Sequence, residues 1–224
     1  MDYDCDRERS NQSETVIDKI ESIPFVIMLK RTFDLFFSIF ALITLFPLMV
    51  LVAVLIKLDS KGPVFYRGIR TGLHESPFRI FKFRSMVTNA ELLGGTSTAS
   101  NDPRLTRIGK FLRQHKLDEL PQLFNIILGE MSFVGPRPQV EKYTNLYSEE
   151  EKIILSVKPG ITDYASIEFI NLDEILGDQD VDEKYLKEIE PRKNKFRVKY
   201  AKEANFMLDM KLIILTMMKM LKIK

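Results

Sequence analysis

Residues 35–56 read LFFSIFALITLFPLMVLVAVLI, 22 consecutive positions without a charge. As one straight helix this run would reach roughly 33 Å, the thickness of a bilayer's hydrocarbon core. It is read as a helix in a membrane, against the alternative of a buried helix in a soluble fold. Polar or mixed residues precede it and no small-residue cleavage pattern follows, so it is expected to be retained rather than removed as a signal peptide. Pro47 falls in mid-run, where a missing N–H and a steric clash predict a kink or break. Lys30 and Arg31 stand before the run, Lys57 and Lys61 after it, so the flanks show no basic bias toward one side. A helix that enters, bends at Pro47 and returns to the same face fits both facts; a kinked spanning helix is the alternative.

Outside this run the chain looks like a protein with one sizeable core. It has 224 residues, 45% of them apolar, which excludes a disordered or fibrous protein. The lone Cys5 excludes an internal disulfide framework and a multi-cysteine zinc site, and His74 and His115 are the only histidines. A reducing, cytosol-facing setting is expected. The net charge of +2 hides strong segregation. Residues 61–116 hold 11 Lys/Arg against 3 Asp/Glu, residues 146–190 hold 4 against 13, and residues 191–224 hold 10 against 2. Phosphate-bearing substrates, nucleic acid, anionic lipid or the acidic block itself could answer the basic blocks.

Residues 1–28 read as a polar N-terminal extension, and 200–224 as a basic amphipathic helix. Phe206, Met207, Met210, Ile213, Ile214, Met217 and Leu221 recur there at three- and four-residue spacing among lysines. Such a helix can lie in a membrane interface or pack its stripe on the core. The predicted organisation is therefore an extension (1–28), a re-entrant membrane helix (29–60), a cytosol-facing domain (61–199) and the C-terminal helix.

Pro77–Ser85, PFRIFKFRS, alternates like a strand, and would place Lys82 and Arg84 about 7 Å apart on one face, able to bracket a diphosphate. The interleaved aromatics also suit single-stranded nucleic acid. Arg104, Arg107, Lys110 and Arg113 recur every three residues and would give a helix one cationic side. Asp118 and Glu119 then stand just before Pro121, which fits the first turn of a new helix. Adjacent carboxylates there can cap the helix, or one can serve as nucleophile or magnesium ligand. Arg137 is locked between Pro136 and Pro138, a rigid mount for a guanidinium that must clamp phosphate.

The joint spelling of these motifs resembles the bacterial sugar transferase family, the monotopic phosphoglycosyl transferases. The matching residues are Lys30-Arg31-Thr32-Phe33-Asp34, Asp59-Ser60-Lys61-Gly62-Pro63-Val64, Phe81-Lys82-Phe83-Arg84-Ser85-Met86, Asn101-Asp102-Pro103-Arg104, Leu117-Asp118-Glu119-Leu120-Pro121-Gln122-Leu123 and Met131 to Pro138. Lys158–Thr162 and Asp209–Ile213 extend the likeness almost to the C-terminus.

The resemblance implies an α+β, mainly helical, membrane-associated enzyme whose re-entrant helix is broken at a proline matching Pro47. It implies transfer of a sugar 1-phosphate from a UDP-sugar to polyprenyl (undecaprenyl) phosphate. UMP would be released through a covalent aspartyl-phosphosugar, as a first membrane step of exopolysaccharide or lipopolysaccharide assembly. Asp118 would be the nucleophile, with Glu119 as magnesium ligand or organiser, Mg2+ as cofactor, and Lys82, Arg113 and Arg137 as phosphate-binding residues. The expected partners are these two substrates and the phospholipid of the cytoplasmic face of the bacterial inner membrane. No nucleic acid is expected, and a homo-oligomer stays open. The chain departs from the family at Glu130, where aspartate is common, and at 163–169, a loop expected to help choose the sugar. Two rivals are an anionic-ligand-binding membrane module and a catalytically inactive scaffold.

Overall fold

In a computed structural model, the structure describes residues 3–90, 102–170, 172 and 181–221, with side chains from residue 27 onward except at 181 and 182. Helix α1 (Tyr3–Asp59) dominates the architecture. Its stretch Ile27–Asp59 is long and apolar enough to cross a membrane by length and composition. The helix runs through Pro47 without interruption, so the break expected there is absent from the secondary structure. A proline can bend a helix whose neighbouring hydrogen bonds persist. The backbone of the expected extension is helical from Tyr3 and continuous with α1.

After α1 come four short strands: β1 (Phe65–Tyr66), β2 (Ile69–Thr71), β3 (Pro77–Arg79) and β4 (Lys82–Phe83). Antiparallel β1 pairs β4 with Phe65 opposite Phe83, and β2 pairs β3 with Arg70 opposite Phe78. Helix α2 (Arg107–Gln114) is capped by Thr106, whose side chain accepts from the Gly109 N–H. A 3-10 turn, Leu117–Glu119, leads into α3 (Gln122–Leu128), which Gly129 closes in a left-handed conformation at φ 84°. Strand β5 (Ser132–Val134) runs parallel to β6 (Gly160–Thr162), with α4 (Glu141–Thr144) between them. Gly135 and Gly160 allow that approach: a Cβ on Gly160 would fall 2.1 Å from the Gly135 nitrogen.

The remainder is helical: α5 (Tyr164–Glu168), α6 (Val181–Lys184), a π-helical turn (Tyr185–Ile189), α7 (Glu190–Glu203) and α8 (Phe206–Met220). The C-terminal helix thus begins at 206, not 200. Asn205 caps it, its side chain accepting from the Leu208 N–H, and Tyr200 is buried in the preceding helix. Helix α8 buries Asp209 and Leu212, while Met207, Ile214 and Met217 of the expected stripe stay exposed.

The core forms between α1 and the domain. Met49, Val52 and Ile56 pack with Phe83 and Leu112, while Ala41 and Leu42 lean on Phe78, Ile80, Leu123 and Ile126. Each large side chain buried this way contributes about 1.5–3 kcal/mol. On the other face of α1, Phe36, Phe40, Ile43, Phe46, Val54 and Leu58 are exposed, an apolar surface far larger than a soluble monomer normally shows.

Both ends of this apolar helix are bolted to the same domain. Near its start Lys30 donates to Val134 O at 3.0 Å and pairs with Asp209, and Arg31 donates to Ile126 O and Ile127 O, satisfying the open carbonyls that end α3. Asp34 Oδ1 accepts from Phe133 N. At its finish Asp59 accepts from Ile108 N, and the Arg84 guanidinium donates to Ser60 O, Lys61 O and Ser60 Oγ.

Candidate active site

The carboxylate pair sits on the 3-10 turn between α2 and α3. Lys116 turns the chain into it with φ 57°, the left-handed region that a non-glycine residue adopts only at a cost. Pro121, whose missing N–H is harmless at a helix start, then directs the chain into α3. The two carboxylates therefore leave the turn in different directions and meet different surroundings.

Glu119 is fully engaged. Its Oε1 accepts from Lys82 Nζ at 3.0 Å, its Oε2 accepts from Arg137 at 3.0 Å, and a second Arg137 nitrogen bonds Oε1 to complete a fork. Burial alone would raise the carboxyl pKa, but the Arg137 and Lys82 charges outweigh it and hold Glu119 well below the usual range. Glu119 in turn pushes Arg137 above its ordinary value. Lys82 is shifted down by burial, against the pull of Glu119.

Asp118 is 7% exposed, and among the described residues nothing donates a hydrogen bond to its carboxylate. Burial raises its pKa, with the Lys82 charge opposing and Glu119 reinforcing. Arg113, half-buried in the last turn of α2, also acts on Asp118 by its charge. Two neighbouring carboxyls are thus driven in opposite directions, the usual sign of divided labour.

Three expected site residues, Lys82, Arg113 and Arg137, therefore converge with the dyad or act on it, but Arg84 does not. It is 6% exposed and caps the C-terminal carbonyls of α1, so Lys82 and Arg84 do not bracket a diphosphate. The strand alternation fails because the chain changes partner between β3 and β4. Phe81 N donates to Asn125 Oδ1 rather than to a ladder. Asn125 itself donates to Arg79 O and to Glu130 Oε2. Asn125 and Glu130 thus hold the segment that presents Lys82, a role the sequence reading missed. The clue was available: Glu130 follows Asn125, the one polar residue inside α3 after its first position, Gln122.

The donor set fits magnesium best at Asp118. No cluster of three or more His, Cys, Asp or Glu side chains occurs among the described residues. Glu119 Oε1 accepts from Lys82 and Arg137 and its Oε2 from Arg137, so Glu119 has less capacity left for a metal than Asp118. The open Asp118 carboxylate fits the magnesium habit of one protein carboxylate supplemented by substrate phosphate oxygens. The loop expected to choose the sugar is in part α5, capped by Asp163, whose side chain accepts from Ser166 N. Residues 173–180 of the acidic block lie outside the described residues.

A family model described as bacterial sugar transferase matches residues 25–223. The chain is 36% identical over 195 residues to the UDP-glucose:undecaprenyl-phosphate glucose-1-phosphate transferase of Escherichia coli K12, covering 86% of this chain and 40% of that one. It is 40% identical over 147 residues to the UDP-N-acetylgalactosamine-undecaprenyl-phosphate N-acetylgalactosaminephosphotransferase of Aeromonas hydrophila, covering 64% and 35%. It is 34% identical to the uncharacterized sugar transferase EpsL of Bacillus subtilis, covering 87% and 88%. The chain thus spans well under half the length of the first two relatives and nearly all of the third.

Proposed function

Because the chain belongs to the bacterial sugar transferase family, we propose that it moves a sugar 1-phosphate from a UDP-sugar to polyprenyl (undecaprenyl) phosphate, with Asp118 as nucleophile. The observation that carries this reading is the asymmetry of the dyad: Glu119 is clamped by Lys82 and Arg137, while the buried Asp118 accepts from no donor among the described residues. The names of the relatives support the donor and acceptor classes. They differ in the sugar, which is left to assay.

An Asp118 oxygen attacks the sugar-linked phosphorus, and the bond from that phosphorus to UMP breaks, its electron pair leaving with UMP. An oxygen of polyprenyl phosphate then attacks the same phosphorus and frees Asp118. Both substrates and the nucleophile are anionic, so the fixed charges of Lys82, Arg113 and Arg137 must offset the repulsion. Asp118 is the residue that would hold a magnesium ion, which would supply further neutralisation of the diphosphate charge. Glu119 takes no part in bond making; it fixes Lys82 and Arg137 in one geometry.

The helix supplies the second half of the reading. A spanning helix would leave one end on the far side of the membrane, whereas Lys30 and Arg31 at one end and Asp59 and Ser60 at the other are held by one domain. This supports a helix that enters and leaves on the cytoplasmic face of the inner membrane, bending at Pro47, and so holds the site near the lipid phosphate. Glycoconjugate assembly, exopolysaccharide among its classes, would use the product. The test is UMP release from a panel of UDP-sugars with undecaprenyl phosphate, together with mass-spectrometric trapping of a phosphosugar on Asp118. An Asp118→Asn chain should lose turnover and trapping together; full turnover by that variant would sink the nucleophile assignment.

A further inference from the structure

Lys82, Arg113 and Arg137 answer the charge of the proposed donor, but none of them matches its uracil. The ribbon that presents Lys82 carries a residue that does. In the antiparallel β1–β4 pair Phe65 stands opposite Phe83 and Tyr66 opposite Lys82. Side chains alternate across such a ribbon, so these two pairs look opposite ways.

The two faces meet different surroundings. Phe65 stacks on Phe83 with 5.5 Å between ring centres, and Phe83, 1% exposed, packs against Met49, Val52 and Leu112. Phe81 continues that side, its ring 6.1 Å from that of Phe65 and covered by the Arg67 guanidinium at 3.3 Å. The other face bears Lys82, whose ammonium donates to Glu119 Oε1 at 3.0 Å. Directly opposed residues have Cβ atoms about 5 Å apart, so Tyr66 projects beside the cation that meets the dyad.

Tyr66 is also held in one place. A Cβ on Gly68 would fall 2.1 Å from the Tyr66 hydroxyl oxygen and 2.5 Å from its Cζ, so the end of the ring lies across the Gly68 backbone where any other residue would displace it. The Arg70 Cζ stands 6.0 Å from the ring centre, and Arg70 is itself tied down by donating to Ile69 O at 2.7 Å. Even so, Tyr66 remains 37% exposed. A tyrosine has only two side-chain torsions to order, so a ring fixed in this way is a stacking platform that costs little entropy on binding.

The geometry points to Tyr66 as the residue that stacks the uracil of the nucleotide-sugar donor, with Lys82 beside it on the diphosphate. This rests on the transferase reading above. Uracil is the one flat ring of that donor and matches a flat π face, whereas the sugar is puckered and belongs beside the phosphorus that Asp118 attacks. A single ribose links the uracil to the diphosphate, in keeping with neighbouring positions for Tyr66 and Lys82 on one ribbon face.

The test uses the full chain in detergent with magnesium chloride, titrated calorimetrically with UDP and, separately, with inorganic diphosphate, which keeps the charge and lacks the base. Tyr66→Ala should weaken UDP binding roughly five- to a hundredfold and leave inorganic diphosphate binding unchanged. Tyr66→Phe should bind UDP as the wild type does, because the ring and not the hydroxyl stacks. In initial-rate kinetics the alanine variant should raise the donor KM by a similar factor while kcat stays nearly level. If that variant fails to fold, Tyr66→Leu, apolar and without a ring, takes its place with the same expected loss.

Equal weakening of UDP and inorganic diphosphate would overturn the inference, since Tyr66 would then only keep Lys82 in position. Undiminished UDP binding by the alanine variant would overturn it outright; weakened binding of UDP-glucose alone would then assign the ring to the sugar, and release from phospholipid vesicles would assign it to the membrane. In each of these cases UMP release by the wild type leaves the transferase reading standing. A wild-type chain that releases UMP from no UDP-sugar would overturn that reading and this inference with it.

Discussion

Arg84 shows how a single side chain can have the composition of a ligand-binding residue and the position of a cap. It gives two nitrogens to the last carbonyls of α1 and to the Ser60 hydroxyl, all in a site 6% exposed. Replacing it by methionine leaves those carbonyls without donors, a loss of about 3 kcal/mol or, for a chain of this length, roughly 6–12 °C in Tm. The donor KM of the folded fraction should be unchanged, which thermal denaturation and initial-rate kinetics together would check; a raised KM would return Arg84 to the phosphate site. Glu119→Gln acts the other way. It leaves the largely buried Lys82 and the partly exposed Arg137 without their shared counter-charge, so activity should fall by at least a hundredfold and stability by about 1–3 kcal/mol. The dyad's place before α3 was legible because Pro121 marks a helix start whatever the tertiary context. Arg84's fate was not, because period-two alternation assumes an unbroken strand, and the Asn125 amide intercepts the backbone at Phe81.

Among the elements, α1 and α8 were each recognisable alone from runs and stripes of apolar residues, but nothing local announces that they meet. The meeting is polar. Lys30 pairs with Asp209, which also accepts from the Tyr200 hydroxyl at 2.7 Å. The motifs Lys30–Asp34 and Asp209–Ile213, far apart in sequence, thus form one latch between the first and last helices. A double-mutant cycle of Lys30→Met and Asp209→Asn, followed by chemical denaturation, should give a coupling of about 1–3 kcal/mol. Additive effects would mean that the two residues stabilise the fold separately. The same comparison explains why the C-terminal boundary was misread: Tyr200 to Glu203 continue the periodicity, but they complete α7, and only the Asn205 cap separates them from α8.

For the whole molecule, the proposed topology rests on where α1 is fastened. In a Cys5→Ser background, cysteines at Met28 and Lys61 should both react with a membrane-impermeant maleimide added from the domain's side of sealed vesicles. Protection of one of them would indicate a helix that crosses. Fold class was legible here because a 22-residue uncharged run can be little else. That the run is also a wall of the domain was not, since Met49, Val52 and Ile56 look no different in sequence from their exposed neighbours.

Those three side chains mean that anchor and enzyme cannot be engineered as separable parts. Trimming the chain to residues 60–224 in the hope of a water-soluble catalyst would take away the wedge on which Phe83 and Leu112 close, leaving a fragment that binds hydrophobic dyes and melts without a sharp transition. Lipid affinity and foldedness would be lost in the same cut.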